Sequence, residues 1–82
     1  MDKNKKLKTR DIANMTVEKY GAEIGKSCAE YGCCKSFDLM KDYVRSIIAE
    51  KYGKRMLKTL SAQFIGYSAH YIFAEMVDKY ER

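Results

Sequence analysis

The sequence predicts an all-α fold, a small bundle of three to four helices with a long C-terminal helix. Three observations carry this expectation. Apolar residues recur at helical spacing through most of the 82 residues. Proline is absent, so no helix interior is forced to kink. Tyr20-Gly21, Tyr31-Gly32 and Tyr52-Gly53 each close an amphipathic stretch. A glycine just beyond a helix can take the left-handed conformation that ends the last turn, so these steps predict three helix stops.

The first helix is expected after Thr9 as N-cap, with Asp11 in the positive field of its first turn. Ala13, Val17, Tyr20 and Ile24 form its apolar stripe. Gly21 and Gly25 weaken it, so it either breaks near Gly21 or runs bent to about residue 31. Their i, i+4 spacing bares backbone on one face, which suits close helix packing. A turn over residues 32–36 follows, with Ser36 as the next N-cap. The helix Phe37 to Tyr52 turns Met40, Tyr43, Val44, Ile47, Ile48 and Tyr52 inward and Lys41, Asp42, Arg45 and Glu50 outward.

The last helix is expected from about Lys54 to Tyr80, with two apolar stripes. Leu57, Leu60, Phe64, Tyr67, Tyr71 and Ala74 make one; Ile65, Ala69, Ile72 and Met76 make the other. At 1.5 Å per residue such a helix would reach about 40 Å, longer than a domain of this size is wide. Either it breaks near Gly66, or its overhang packs on a partner protein or a second copy. Ala62, Gly66 and Ala69 suit close approach, and a homodimer through this helix is favoured.

The formal charge is +5, and its position matters more than its size. Residues 1–10 hold Lys3, Lys5, Lys6, Lys8 and Arg10 against Asp2, a net of +4. The other 72 residues hold 11 basic and 10 acidic side chains, a net of +1. The chain therefore divides into a basic flexible tail, residues 1–9, and a single helical domain, residues 10–82. The charged amino terminus has no apolar core of a signal peptide, and the weakly polar run Phe64 to Ala74 is too short to span a bilayer. With three cysteines, an odd number, the expected setting is the reducing cytoplasm and no membrane.

Candidate chemistry is thin. Cys28, Cys33, Cys34 and His70 match the ligand count of a zinc site, but adjacent cysteines share one tetrahedral ion poorly and the paired short loops are missing. Cys34 beside Lys35 and a helix start has the setting of an activated thiol, yet no base or oxyanion donor is placed by the sequence. Gly25-Lys26-Ser27 lacks both the first glycine and the strand of a phosphate-binding loop. No catalytic residue, cofactor or metal is assigned.

Two binding functions follow from the residues. One is a small non-enzymatic protein-binding module, an inhibitor or adaptor of the kind phages and mobile elements carry. It would act through Phe64, Tyr67, Tyr71, Ile72 and Met76 of the Tyr-rich last helix. The other is a small nucleic-acid-binding regulator. It would use Lys3, Lys5, Lys6, Lys8 and Arg10 with the corner Lys51, Lys54, Arg55 and Lys58. Residues 24–45 can also be drawn as a helix-turn-helix with Lys35, Ser36, Lys41 and Arg45 on or near the second helix. The nearly neutral body and the spare apolar surface of the last helix favour protein binding.

Overall fold

The computed structural model describes residues 7–81, and all its regular elements are helices: α1 (Thr9–Tyr31), α2 (Phe37–Tyr52), α3 (Lys54–Thr59) and α4 (Ala62–Tyr80). Lys3, Lys5 and Lys6 of the expected basic tail lie outside the described residues. α1, α2 and α4 pack around one core, whereas α3 rests on α2 alone.

α1 runs unbroken through Gly21, so Tyr20-Gly21 is not a stop. Its first residue is Thr9 itself, and Lys8 stands at the cap without a side-chain hydrogen bond. Tyr31-Gly32 and Tyr52-Gly53 are stops, and they are built alike. Gly32 has φ 93° and ψ 153°, and Gly53 has φ 95° and ψ 154°. This is an extended, positive-φ conformation that glycine alone adopts without strain, and it differs from the left-handed helical cap expected from the sequence. Each glycine N–H still donates to the carbonyl four residues back, Cys28 at 2.9 Å and Ala49 at 3.0 Å, and the chain then swings away.

Ser36 precedes α2, but its hydroxyl does not cap it. The buried Ser36 Oγ donates backward to the Gly32 carbonyl at 2.9 Å and lies 2.6 Å from Ser27 Oγ. Since Ser36 spends its proton on the carbonyl, Ser27 must donate in that second bond. The two hydroxyls thus tie the end of α1 to the start of α2.

The long last helix expected from Lys54 is two helices, and the break is at Leu60–Ser61 rather than Gly66. Two hydroxyls explain it. Thr59 Oγ1 donates to the Met56 carbonyl at 2.7 Å, satisfying an orphan acceptor at the end of α3. Leu60 and Ser61 are then extended, and Ser61 Oγ accepts the Phe64 N–H at 3.0 Å, capping α4. What remains as α4 is 19 residues, about 28 Å at helical rise. The overhang that argued for a second copy is gone.

The core is Ile12, Ala13, Ile24 and Cys28 of α1, Cys33 of the turn, Met40, Val44, Ile47 and Ile48 of α2, and Ile65, Ala69, Ile72 and Met76 of α4. Each fully buried isoleucine contributes about 2 kcal/mol. The buried hydroxyls of Thr16 and Ser68 donate to their own helix at Ile12 O (2.7 Å) and Phe64 O (3.0 Å), so burial leaves them satisfied. Tyr20 stacks on Tyr43 at 4.2 Å between ring centroids, and Lys19 pairs with Glu50 at 2.6 Å. Screened by water, that pair adds little stability.

These contacts fix directions. Ser27 meets Ser36 and Tyr20 meets Tyr43, so α1 and α2 are antiparallel, and residue 11 stands level with residue 52. α4 crosses both: Arg10 lies over Tyr71, Gly25 lies against Tyr80, and the first half of α4 lies by Phe37 at the start of α2. A Cβ at Gly25 would stand 2.9 Å from the Tyr80 Cζ and collide with its hydroxyl, so a side chain there would push the Tyr80 ring off α1. At the same end the Cys33 N–H donates to Glu81 Oε2 at 2.8 Å.

The Gly32 geometry can be tested alone. A Cβ there meets nothing closer than Glu81 Oε2 at 3.7 Å, an ordinary contact. Gly32→Ala should therefore cost about 1–3 kcal/mol from backbone strain. Gly53→Ala should cost less in the same denaturant titration, because α3 buries no residue and is able to shift.

Candidate functional site

α4 turns Ile65, Ser68, Ala69, Ile72 and Met76 into the core, a 3-1-3-4 spacing that leaves a second face outward. On that face Gln63, Tyr67, His70 and Tyr71 are exposed and Gly66 is half-buried. Gly66 has no neighbour within 4 Å of where a Cβ would be, so it forms a notch in the helix surface. Phe37, at the start of α2, leans across from the side. Together Phe37, Gln63, Gly66, Tyr67 and His70 line a shallow concavity of about 340 Å³. A neighbouring one of about 290 Å³ is lined by Cys34, Phe37, His70 and Phe73. Phe37 and His70 are common to both, so the two make one open groove.

Aromatic contacts hold the groove in shape. Phe37 meets Phe73 edge-on, with centroids 5.9 Å apart and planes at 87°. His70 stacks on Phe73 at 6.2 Å and 20°. Beyond the groove the Arg10 guanidinium lies 5.4 Å from the Tyr71 ring centroid, a cation–π contact joining the start of α1 to α4. Tyr67 and Tyr71 remain 55% and 42% exposed. Between Lys58 and Glu75 the chain carries no Lys, Arg, Asp or Glu, so the groove floor on α4 is free of formal charge apart from any on His70.

Of the five side chains expected at a protein interface, the structure leaves two on the surface. Tyr67 and Tyr71 are exposed, and Phe64 is half-buried against the core. Ile72 and Met76 are core residues, 0% and 1% exposed, and are not available to a partner. They belong to the inward stripe, and the shortened α4 has no second apolar face for them. Phe37, Gln63, Gly66 and Phe73 were missed because the groove is made by two helices. His70, expected among apolar neighbours, is exposed on it.

The cysteines separate. Cys28 and Cys33 are buried and Cys34 is exposed. Burial, then a hydrogen bond with Cys28, pushes the Cys33 thiol up from 9.0 to about 12, with Glu81 adding to the effect. Cys34 and His70 share the groove without a hydrogen bond between them. Among the described residues no three His, Cys, Asp or Glu side chains converge as metal ligands.

The nucleic-acid candidates fall into two sets. On α2, Lys41 pairs with Asp38 at 3.2 Å and Arg45 with Asp42 at 3.0 Å, so the basic residues of the would-be recognition helix are engaged by its own carboxylates. Lys8, Lys51, Lys54, Arg55 and Lys58 are exposed, and none has an ion-pair partner among the described residues. Among those residues, too, no helix is long and apolar enough to cross a membrane.

A thiol count checks the cysteine geometry. One equivalent, Cys34, should react with a disulfide reagent in the native protein at pH 8, and all three in denaturant. Because the folded Cys33 stays protonated while the unfolded thiol ionises, the contribution of Cys33 to stability should be constant below pH 9 and fall between about pH 9 and 12. Cys33→Ala should flatten that fall.

No protein-family model, no curated protein and no solved structure matches the chain, so its function is read from its own surfaces.

Proposed function

We propose that this protein is a small non-enzymatic binding module, an inhibitor or adaptor, that docks a partner protein on the aromatic groove of α4. One observation carries the reading: an aromatic-walled groove, its α4 floor without Lys, Arg, Asp or Glu, with an open notch at Gly66 that no described side chain fills. Exposed tyrosines add large contact area at low conformational cost and keep a polar tip for water. A tyrosine buries about 150–250 Å² when covered, so half-exposed Tyr67 and Tyr71 offer roughly 200 Å² between them. With the flanks of Phe37, His70 and Phe73 the patch reaches the few hundred Å² that on small monomers often mark a functional surface. The fitting partner presents a bulky apolar side chain to the notch, as a helix or extended segment does when it docks in a shallow groove.

The notch supplies a test in which stability and binding move in opposite directions. Gly66→Ala meets no steric obstacle and should stabilise the fold by about 0.5–1 kcal/mol through helix propensity. It should weaken partner capture from the native host by filling the notch, and Tyr67→Glu should abolish capture without changing the melting temperature. Light scattering identifies a second copy as the partner: a doubled mass that Tyr67→Glu returns to monomer. Full retention of binding by both variants would exclude the groove.

A further inference from the structure

The topology sorts the charges by end. Because α1 and α2 are antiparallel, α1 begins at the end of the bundle where α2 finishes and α3 follows. Setting aside the pairs Lys19–Glu50, Lys41–Asp38 and Arg45–Asp42, that end carries Lys8, Arg10, Lys51, Lys54, Arg55 and Lys58. Only Asp11 and Glu18 oppose them there. The other end gathers the turn 32–36 and the finish of α4, shown by the Cys33–Glu81 hydrogen bond. It holds Lys26, Lys35 and Lys79 against Glu23, Glu30, Glu75, Asp78 and Glu81. Among the described residues the charges outside those pairs are thus sorted, six basic to two acidic at one end and three to five at the other.

We propose that the α3 end binds the phosphate backbone of double-stranded nucleic acid, without reading its sequence. α3 has the build for this. None of its residues is buried and it rests on α2 alone, so its cationic side chains project freely. From Lys51 to Ala74 the chain holds no Asp or Glu. Glu50, the carboxylate nearest in sequence, is held by Lys19. Lys19, Lys41 and Arg45 are paired across helices or at i, i+3, whereas Lys51, Lys54, Arg55 and Lys58, clustered within eight residues, have no ion-pair partner among the described residues. Lys54 and Lys58 share one helix face a turn apart and Arg55 lies beside them, a spacing suited to successive phosphates along a strand.

An anionic membrane fits less well. The exposed apolar side chains at this end are Tyr52, Met56 and, under Arg10, Tyr71, one from each of three helices rather than one continuous face, while Leu57 and Leu60 pack against the core. An interfacial helix needs a continuous apolar face to insert, and α3 has none to spare. The acidic far end also favours an end-on approach, turning away from a polyanion as the basic end turns toward it.

The test is fluorescence anisotropy of the full chain with two unrelated short DNA duplexes between 25 and 200 mM salt. Four phosphate contacts predict a slope of log K against log salt of about −3 to −4, steeper if Lys8 and the residues before it take part. The two duplexes should bind within about threefold of each other. The triple variant Lys54→Gln, Arg55→Gln, Lys58→Gln should flatten the slope by about 3 with an unchanged melting temperature, since α3 buries nothing. The matched triple Lys26→Gln, Lys35→Gln, Lys79→Gln should leave the slope intact. Equal losses in both triples would reduce the effect to net charge and overturn the proposal. So would no DNA binding at 25 mM salt, or tighter binding to phosphatidylserine vesicles than to either duplex.

Discussion

Gly32 and Gly53 hold a backbone conformation, φ near +94° with ψ near +153°, that a side chain on Cα would strain. The rest of the arrangement follows from those two joints. Gly32 lets α1 end on a normal helical hydrogen bond and still reverse within five residues, which sets α2 antiparallel to α1. Gly53 does the same at the far end of α2, except that none of the six residues it launches is fully buried, and Leu57 alone among them packs against the core. α3 is therefore left outside, and α4 must return past it to close the core.

A chain of this size has a narrow margin, since small domains bury a smaller share of their surface than large ones. The core compensates by bonding each of the three polar side chains buried among the described residues. Thr16 and Ser68 are fully buried, yet each hydroxyl bonds a carbonyl one turn back. Ser36 is buried in the turn and bonds both Ser27 and Gly32. The end of α4 closes over this turn, with Tyr80 against Gly25 and Glu81 on the Cys33 amide. The same closure raises the Cys33 thiol, because burial disfavours the thiolate and a carboxylate nearby disfavours it further.

How much of this is legible in the sequence depends on the range of the interaction. The apolar period of residues 37–52 is local and gave α2 its limits and its buried face up to Ile48, but Tyr52, expected inward, lies past the core in the last turn and is 42% exposed. The Tyr-Gly step was equally local but ambiguous: Gly21 sits inside α1 because Val17 and Ile24 on either side keep the helix against its neighbours. The break before α4 had a local signal too. Thr59 and Ser61 flank Leu60 with hydroxyls able to end one helix and cap the next, a stronger cue than Gly66, which a helix tolerates. Ile72 and Met76 were assigned outward only because a continuous helix would have had two apolar faces. The groove and the sorting of charge by end were not readable at all. Phe37 meets Gly66 across 29 positions of sequence, and charges 40 positions apart are gathered at one end only once the helix directions are known.

The two surfaces differ in how they would hold a partner. The groove on α4 has aromatic walls and a floor without Lys, Arg, Asp or Glu, so contact there is mainly short-range and depends on shape. The α3 end has charge but little spare apolar area, so contact there is long-range, tolerant of geometry, and weakened by salt. They also stand on different elements, since α3 packs only on α2 and the groove lies on the flank of α4 facing Phe37. They are lined by different residues. A module that reads shape on its flank and senses phosphate at its end can hold both at once, and a second, charge-driven contact raises the effective concentration of the first. That combination belongs to an adaptor more than to an inhibitor, because an inhibitor needs only the surface that blocks its target.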